Sequence, residues 1–159
     1  MKLYFLRHGI AGDRGEWKGD DYDRPLTEEG KERMDREART MAKMGLAPDA
    51  IITSPLVRAY QTAEIVARAL KCDDRLVKDD RLGPGFGASE LAGILETQPN
   101  AAELMLVGHE PDMSETVSRL IGGGRVTCKK GSLACVQLEP PASLKGELLW
   151  LYTAKVLAL

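Results

Sequence analysis

Only two histidines occur in the chain, His8 and His109, and each closes an apolar run beside a glycine. The first run reads Leu3-Tyr4-Phe5-Leu6-Arg7-His8-Gly9 and the second Leu104-Met105-Leu106-Val107-Gly108-His109-Glu110. Each pattern predicts a buried strand that ends on an imidazole. In an open α/β sheet, ligands bind at the carboxyl ends of the strands, so two such strands would bring both rings to one edge. A lone histidine is as readily a satisfied core residue, and a fold pattern alone establishes no function. The neighbouring cations shift that balance. Arg7 precedes His8. Successive side chains of an ideal strand face opposite ways, but the backbone turns at the strand's end, so both can reach one anion. Arg58 falls in the first turn of the helix expected after Ser54-Pro55, where free N–H groups and the helix dipole already favour anions. A guanidinium there adds bidentate recognition of phosphate oxygens. Two arginines and two histidines around one point make a pocket for a phosphoryl group.

The elements that must position these residues are legible from periodicity and punctuation. A first strand spans about Lys2 to Arg7. Gly9 to Arg24, rich in glycine, aspartate and charge, reads as a mobile surface loop, and a structureless run of that length is uncommon unless functional. Thr27 is the expected N-cap of a helix, with Glu28 and Glu29 favourable in its first turn. Met34, Ala38, Met41 and Ala42 recur at helical spacing, and Gly45 and Pro48 stop it. A short strand, Ala50 to Thr53, leads to Ser54-Pro55, read as a serine cap with proline in the first turn. The apolar face of that helix would carry Leu56, Tyr60, Ala63, Ala67 and Leu70. Arg75 to Lys78 is a weak strand, Gly83 to Gly87 a loop, and Ser89 to about Glu96 a short helix. Leu104 to Val107 is a strand. Pro111 disfavours helix at Glu110, and Asp112 with Glu115 resembles a cap and its partner. That helix runs through Val117, Leu120 and Ile121 to Gly122-Gly123-Gly124. Ser132 to Leu138 and Leu148 to Thr153 are further strands, joined through Pro140-Pro141. Alternating strands and helices predict a three-layer α/β/α arrangement with a mostly parallel sheet covered on both faces.

The 159 residues fit one domain, 1–159, with a sizeable core. Hydrophobic residues at 43% and charged residues at 29% read as a soluble globular chain. A net charge of -2 gives no reason to expect nucleic acid or an anionic membrane as partner. Met1-Lys2 is followed by four apolar residues and then Arg7, too short for a signal peptide's apolar region, and no apolar run approaches a membrane span. Cys72, Cys128 and Cys135 are odd in number and form no Cys-x-x-Cys pair. They read as buried inert thiols in a reducing, cytoplasmic setting. No exposed apolar stripe stands out from which to read an oligomeric state.

Four segments carry a family resemblance: Leu6-Arg7-His8-Gly9, Arg24-Pro25-Leu26-Thr27-Glu28-Glu29-Gly30, Thr53-Ser54-Pro55-Leu56-Val57-Arg58-Ala59-Tyr60-Gln61-Thr62-Ala63 and Val107-Gly108-His109-Glu110-Pro111. In order and spacing they resemble the histidine phosphatase (phosphoglycerate mutase-like) superfamily, and the short length resembles its SixA-type phosphohistidine phosphatases. The resemblance implies a phosphoglycerate mutase-like fold and a metal-independent phosphatase without a cofactor. It implies that His8 is the nucleophile and becomes phosphorylated, that Arg7 and Arg58 hold phosphate oxygens, and that His109 donates to those oxygens. Physical chemistry is compatible with these roles. A neutral imidazole nitrogen is a competent nucleophile near pH 7. Phosphoryl transfer needs mainly positioning and charge stabilisation, which fixed cations supply.

Two departures from the family pattern bear on substrate. Many relatives carry Glu or Asp directly after the Arg-His-Gly or Arg-His-Ala motif, where this chain has Ile10. Mutases and larger phosphatases also place a glutamate between the arginine helix and the second histidine as proton donor. Here that segment, Asp79 to Gln98, offers only Asp79, Asp80 and Glu90 near the expected place, none in a recognisable motif. Asp13 and Glu110 are the other candidates, each as readily a solvated acid. An alkoxide leaving group needs a proton, whereas an imidazole can leave already protonated. The missing acid and missing lid insertion therefore point to a phosphorylated signalling protein carrying phosphohistidine. A small phosphorylated molecule is the alternative substrate, and a phosphate-binding regulatory module without turnover the alternative class.

Rival chemistries lack their residues. Six positions after Cys72, Cys128 and Cys135 stand Lys78, Ala134 and Pro141, so there is no Cys-x5-Arg phosphatase loop. Asp21-x-Asp23 has neither the preceding strand nor the threonine of an aspartate-nucleophile phosphatase. Gly122-Gly123-Gly124 follows a helix instead of opening one, so it is no phosphate loop. A metal site would need ligands beyond the two histidines, and no metal-ligand spacing exists.

Overall fold

A computed structural model describes residues 1–159. The strands are β1 Lys2–Arg7, β2 Ala50–Thr53, β3 Leu76–Lys78, β4 Glu103–Gly108, β5 Leu133–Leu138 and β6 Gly146–Tyr152; the helices are α1 Glu28–Lys43, α2 Val57–Leu70, α3 Ala88–Glu96, α4 Asp112–Leu120 and α5 Ala154–Leu157. All strands join one sheet in the order β3-β2-β4-β1-β5-β6. Pairing is parallel from β3 through β1 and antiparallel from β1 to β5 and from β5 to β6. The sheet is thus mixed. The segment between Leu138 and Gly146 is too short for a parallel crossover, which takes a dozen or more residues.

Period two divides the core. Leu3, Phe5, Ile52, Leu104 and Leu106 face Leu91 and Ile94 of α3 and Val117 and Leu120 of α4. Tyr4, Leu6, Ile51, Met105 and Val107 face Met34 and Met41 of α1, Ala59, Ala63 and Val66 of α2, and Leu157 of α5. Strands buried on both sides must be apolar throughout, which is why β1 and β4 stand out in the sequence.

The helix starts differ from expectation in two places. Thr27 caps α1 as expected, its Oγ1 accepting from Gly30 N–H at 2.9 Å. Ser54 does not cap α2: Leu56 holds the N-cap position without a side-chain bond, and the helix begins at Val57. At α4 the N-cap position is Pro111, not Asp112. The carboxylate that satisfies this helix is Glu110, which accepts from Ser114 N–H at 2.9 Å. A carboxylate one residue before proline can reach forward over the first turn, so the local pattern was shifted by two residues. On α2, Tyr60 and Leu70 are only half buried, while Arg58 and Thr62 join Ala59, Ala63, Val66 and Ala67 on the inner face.

Residues 9–24 form a structured loop. Ala11 bridges Leu26, and a 3₁₀ turn spans Asp21–Asp23, capped by the Asp20 carboxylate on Tyr22 N–H at 2.9 Å. No helix is long and apolar enough to cross a membrane.

Candidate active site

β2, β4 and β1 are neighbours, and their carboxyl ends lie at one edge. The residues that follow them are Ser54, His109 and His8. The ladder continues one step past the strands: Ser54 N–H donates to Val107 O at 2.9 Å and His8 N–H to Gly108 O at 3.1 Å. The sheet backbone therefore fixes where both imidazoles leave it. Gly9 N–H donates to Thr62 Oγ1 at 3.1 Å, and that hydroxyl donates to Arg58 O at 2.8 Å. Thr62, fully buried on α2, thereby ties the turn after His8 to the helix that carries Arg58.

The two rings have defined tautomers. His8 Nδ1 lies 2.7 Å from Gly9 O. A carbonyl only accepts, so Nδ1 carries the proton and Nε2 keeps a free lone pair. His109 Nε2 lies 2.7 Å from Ser54 Oγ, which also accepts from Leu56 N–H at 3.3 Å. Ser54 is fully buried. Donation of its hydroxyl proton to Nε2 is the arrangement that leaves no buried O–H unpaired, and it places the proton of His109 on Nδ1. Burial pushes the His8 pKa down to about 3, the Gly9 carbonyl opposing and the His109, Arg58 and Arg7 charges adding to the effect. Burial and the Arg58 charge likewise push His109 down to about 4, against an opposing pull from Asp21. Both rings are neutral at pH 7.

Arg58 is 6% exposed. Its Nη1 donates to Asp21 O at 2.7 Å and its Nη2 to Asp21 Oδ2 at 3.1 Å. Arg7 Nη1 donates to Cys128 O at 3.0 Å. Three buried nitrogens around His8 have no partner in the protein: Arg7 Nε, Arg58 Nε and His109 Nδ1. Unpaired buried donors are rare and expensive. Donors from two fixed cations and one neutral ring suit the oxygens of a phosphoryl group. His8, His109 and Arg58 line a cavity of about 340 Å³. Arg7 is not among the residues that line it; its Nη1 is held by the Cys128 carbonyl.

Three carboxylates share the cavity wall, Asp21, Glu110 and Asp112, together with the exposed Arg14. Each carboxylate is engaged as an acceptor. Glu110 takes Ser114 N–H and, at 2.5 Å, the Ser114 hydroxyl. Asp112 Oδ2 accepts from Gly85 N–H at 2.8 Å. Asp21 is held by arginines, and its pKa lies below the usual carboxylate range, chiefly through its bond from Arg24. The acids expected from the segment after α2 are not on this wall: Asp79 is bound twice by Arg81, and Asp80 and Glu90 lie elsewhere. Asp13 caps its own turn, accepting from Gly15 N–H at 2.7 Å. Sequence reasoning missed Ser54, Asp21 and Arg24 as parts of the site. The Arg24-Pro25-Leu26-Thr27 motif was the one signal that could have drawn attention to Arg24.

No three of the chain's His, Cys, Asp and Glu side chains come together as a set that could hold a metal ion. The model of the histidine phosphatase superfamily, branch 1, matches residues 3–110. An uncharacterized protein of Picosynechococcus is 42% identical over 125 residues, 77% of this chain and 74% of that protein. The other curated relatives that match are longer, and the match spans between 22% and 52% of them. Among solved structures, the protein histidine phosphatase SixA complexed with tungstate superposes with a TM-score of 0.87 at 23% identity, over 99% of both chains. The α-ribazole phosphatase from Shigella flexneri superposes with a TM-score of 0.74 at 16% identity, over 97% of both chains. With its histidine-bearing strands and arginine helix inside the matched region, the chain belongs to the histidine phosphatase superfamily, branch 1, and is a hydrolase that works through a histidine nucleophile.

Proposed function

We propose that the protein is a phosphohistidine phosphatase acting on phosphorylated proteins, with His8 as the nucleophile. His8 Nε2 attacks phosphorus in line with the scissile P–N bond. That bond breaks, and its electron pair leaves with the substrate's imidazole nitrogen. Phosphorus is then bonded to Nε2, while Nδ1 keeps its proton and donates it to the Gly9 carbonyl, which steadies the positive charge gained by the ring. Arg7 and Arg58 hold the equatorial oxygens, and His109 donates Nδ1–H to them. In the second step water attacks phosphorus, the P–Nε2 bond breaks, and inorganic phosphate leaves neutral His8 behind.

The observation that carries the choice of substrate is the state of the wall carboxylates. Glu110, Asp112 and Asp21 all serve as acceptors, and none is poised to hand a proton to an alkoxide. An imidazole leaving group makes no such demand. The three cysteines are unpaired and buried, which suits the reducing cytosol as the place of action. The test is a steady-state comparison of a phosphohistidine protein with a panel of phosphate monoesters. A large kcat/KM advantage for the phosphohistidine protein is expected. Faster turnover of the monoesters would instead identify a small-molecule phosphomonoesterase, and absence of any turnover a phosphate-binding module.

A further inference from the structure

Asp21 lies on the loop between β1 and α1, far in sequence from Arg58, yet supplies both acceptors that the guanidinium finds in the protein. The carbonyl takes Nη1 and the carboxylate takes Nη2. A guanidinium presents an end-on edge made by its two terminal nitrogens and a side-on edge made by Nε and one Nη. Asp21 occupies the end-on edge. The side-on Nε stays buried and unpaired.

Asp21 is itself held. Arg24 Nε donates to Asp21 Oδ1 at 2.9 Å, and Arg24 Nη1 donates to Gly12 O. Arg24 is 8% exposed, and its bond to a backbone carbonyl pins it to the start of the loop. Arg14 approaches Asp21 Oδ1 at 3.5 Å. The result is a chain of contacts from Gly12 through Arg24 and Asp21 to Arg58.

Two roles are open to a carboxylate so placed. It could imitate a phosphate and compete with it, or it could aim the arginine. A mimic sitting at the phosphoryl position would take the donors that face that position. Asp21 takes none of Arg7 Nε, Arg58 Nε and His109 Nδ1, all of which are without a partner. We infer that Asp21 is a positioning residue: anchored by Arg24, it clamps the end-on edge of Arg58 and so turns the side-on fork toward the phosphoryl group.

The inference rests on the proposed phosphatase reading and deepens it. The clamp acts on the geometry of charge stabilisation in the transition state. A misplaced guanidinium still attracts the anion, so binding suffers less than rate.

The experiment uses p-nitrophenyl phosphate, whose leaving group needs no protein acid, and follows kcat and KM for the wild type, Asp21→Asn, Asp21→Ala, Arg58→Lys and Asp21→Asn/Arg58→Lys. Exposed Asp23→Asn serves as the control for loss of a loop charge, and thermal unfolding verifies that each variant is folded. Asp21→Asn and Asp21→Ala should lower kcat about 10- to 100-fold, with KM moving far less. In the Arg58→Lys background, which has no fork to aim, Asp21→Asn should add little further loss. A kcat at or above wild type in Asp21→Asn would overturn the inference in favour of a competing mimic. An equal loss in both backgrounds would overturn it in favour of a loop-folding role. Wild-type protein that neither turns over the substrate nor phosphorylates His8 would defeat the phosphatase reading itself, a different result from any of these.

Discussion

The imidazoles of His8 and His109 stand 5.2 Å apart, centroid to centroid, with their planes inclined at 55°. They are neither stacked nor hydrogen-bonded to each other. Each takes its partner from elsewhere, His8 from Gly9 and His109 from Ser54. In the proposed mechanism that independence lets one ring offer a lone pair while the other offers a proton toward the same group.

The two histidines should therefore fail differently when removed. His8→Ala is expected to abolish both turnover and the acid-labile, base-stable phosphate trapped on the protein. His109→Ala should still accept a phosphoryl group, with kcat lower by about 10²- to 10³-fold, the typical loss on removing one donor to a transition-state oxygen. Rapid quench with radiolabelled substrate separates the two. A labelled intermediate in His8→Ala would show that the nucleophile lies elsewhere.

Ser54 should act through His109. Its hydroxyl is the group that keeps the proton on Nδ1, and truncation leaves Nε2 buried without a partner. Ser54→Ala is expected to lower kcat about tenfold, equivalent to about 1.4 kcal/mol, and to shift the ring toward the Nε2–H tautomer. Imidazole ¹⁵N chemical shifts read that change directly. A variant with unchanged shifts and unchanged kcat would leave Ser54 as packing only.

β1 and β4 were legible because strands buried on both faces must be apolar, and His8 and His109 were legible as their endings. Arg58 was legible from the motif it sits in. Ser54 was misread because Ser-Pro is a strong local signal for a helix start, while its real partner, His109, lies 55 residues away in sequence. Asp112 was misread for a related reason: proline at 111 let Glu110 take over the capping of α4. Asp21 could not be read at all. Its importance comes from where the 9–24 loop folds, and that is decided by the Arg24 and Arg58 side chains, not by any periodicity within the loop.

Folding stability should fall as the solution is acidified from pH 6.5 toward 4. Both folded pKa values are depressed, to about 3 and about 4, so the unfolded chain binds protons that the folded chain refuses. The stability is fully present above the unfolded value of about 6.5 and is lost as pH falls toward the folded values. Each histidine adds up to about 1.4 kcal/mol per pH unit within that window. Urea titrations at half-unit intervals measure the slope. His109→Gln should reduce it, and an unchanged slope would place the titration in other groups.

Glu37 contributes with the opposite sign. This carboxylate is 1% exposed on α1, beside Gly131, with Arg33 Nε at 3.3 Å from Oε1 and with Oε2 unpaired. Burial pushes its pKa up to about 7, against the pull of Arg33. The unfolded carboxyl ionises first, so its contribution is fully present below the ordinary value and is lost as pH rises through about 7. Glu37→Gln cannot ionise. Its stability relative to wild type should rise steadily between pH 4.5 and 7.5 in the same urea titrations, and a flat difference would mean that the folded carboxyl is already charged.

Gly30 sets how closely α1 can lie on the segment that leaves His8. A Cβ added there would come within 2.1 Å of Ile10 O, a backbone atom that cannot rotate aside. In an exposed helix interior, glycine to alanine gains about 1 kcal/mol. Here the steric clash reverses the sign, because either α1 or the Gly9–Ile10 turn must move, and overpacking of this kind typically destabilises by about 1–3 kcal/mol. The turn is the weaker of the two. α1 is pinned to the core by Met34, Ala38 and Met41, whereas the Gly9–Ile10 segment is held through hydrogen bonds, from Gly9 N–H to Thr62 Oγ1 and from Thr27 N–H to Ile10 O at 3.0 Å. Displacing Ile10 pulls on Gly9, whose carbonyl accepts from His8 Nδ1–H. Gly30→Ala should therefore lower kcat along with the denaturation midpoint, while Gly45→Ala, at a turn with open space around it and φ of 78°, should lower only the midpoint.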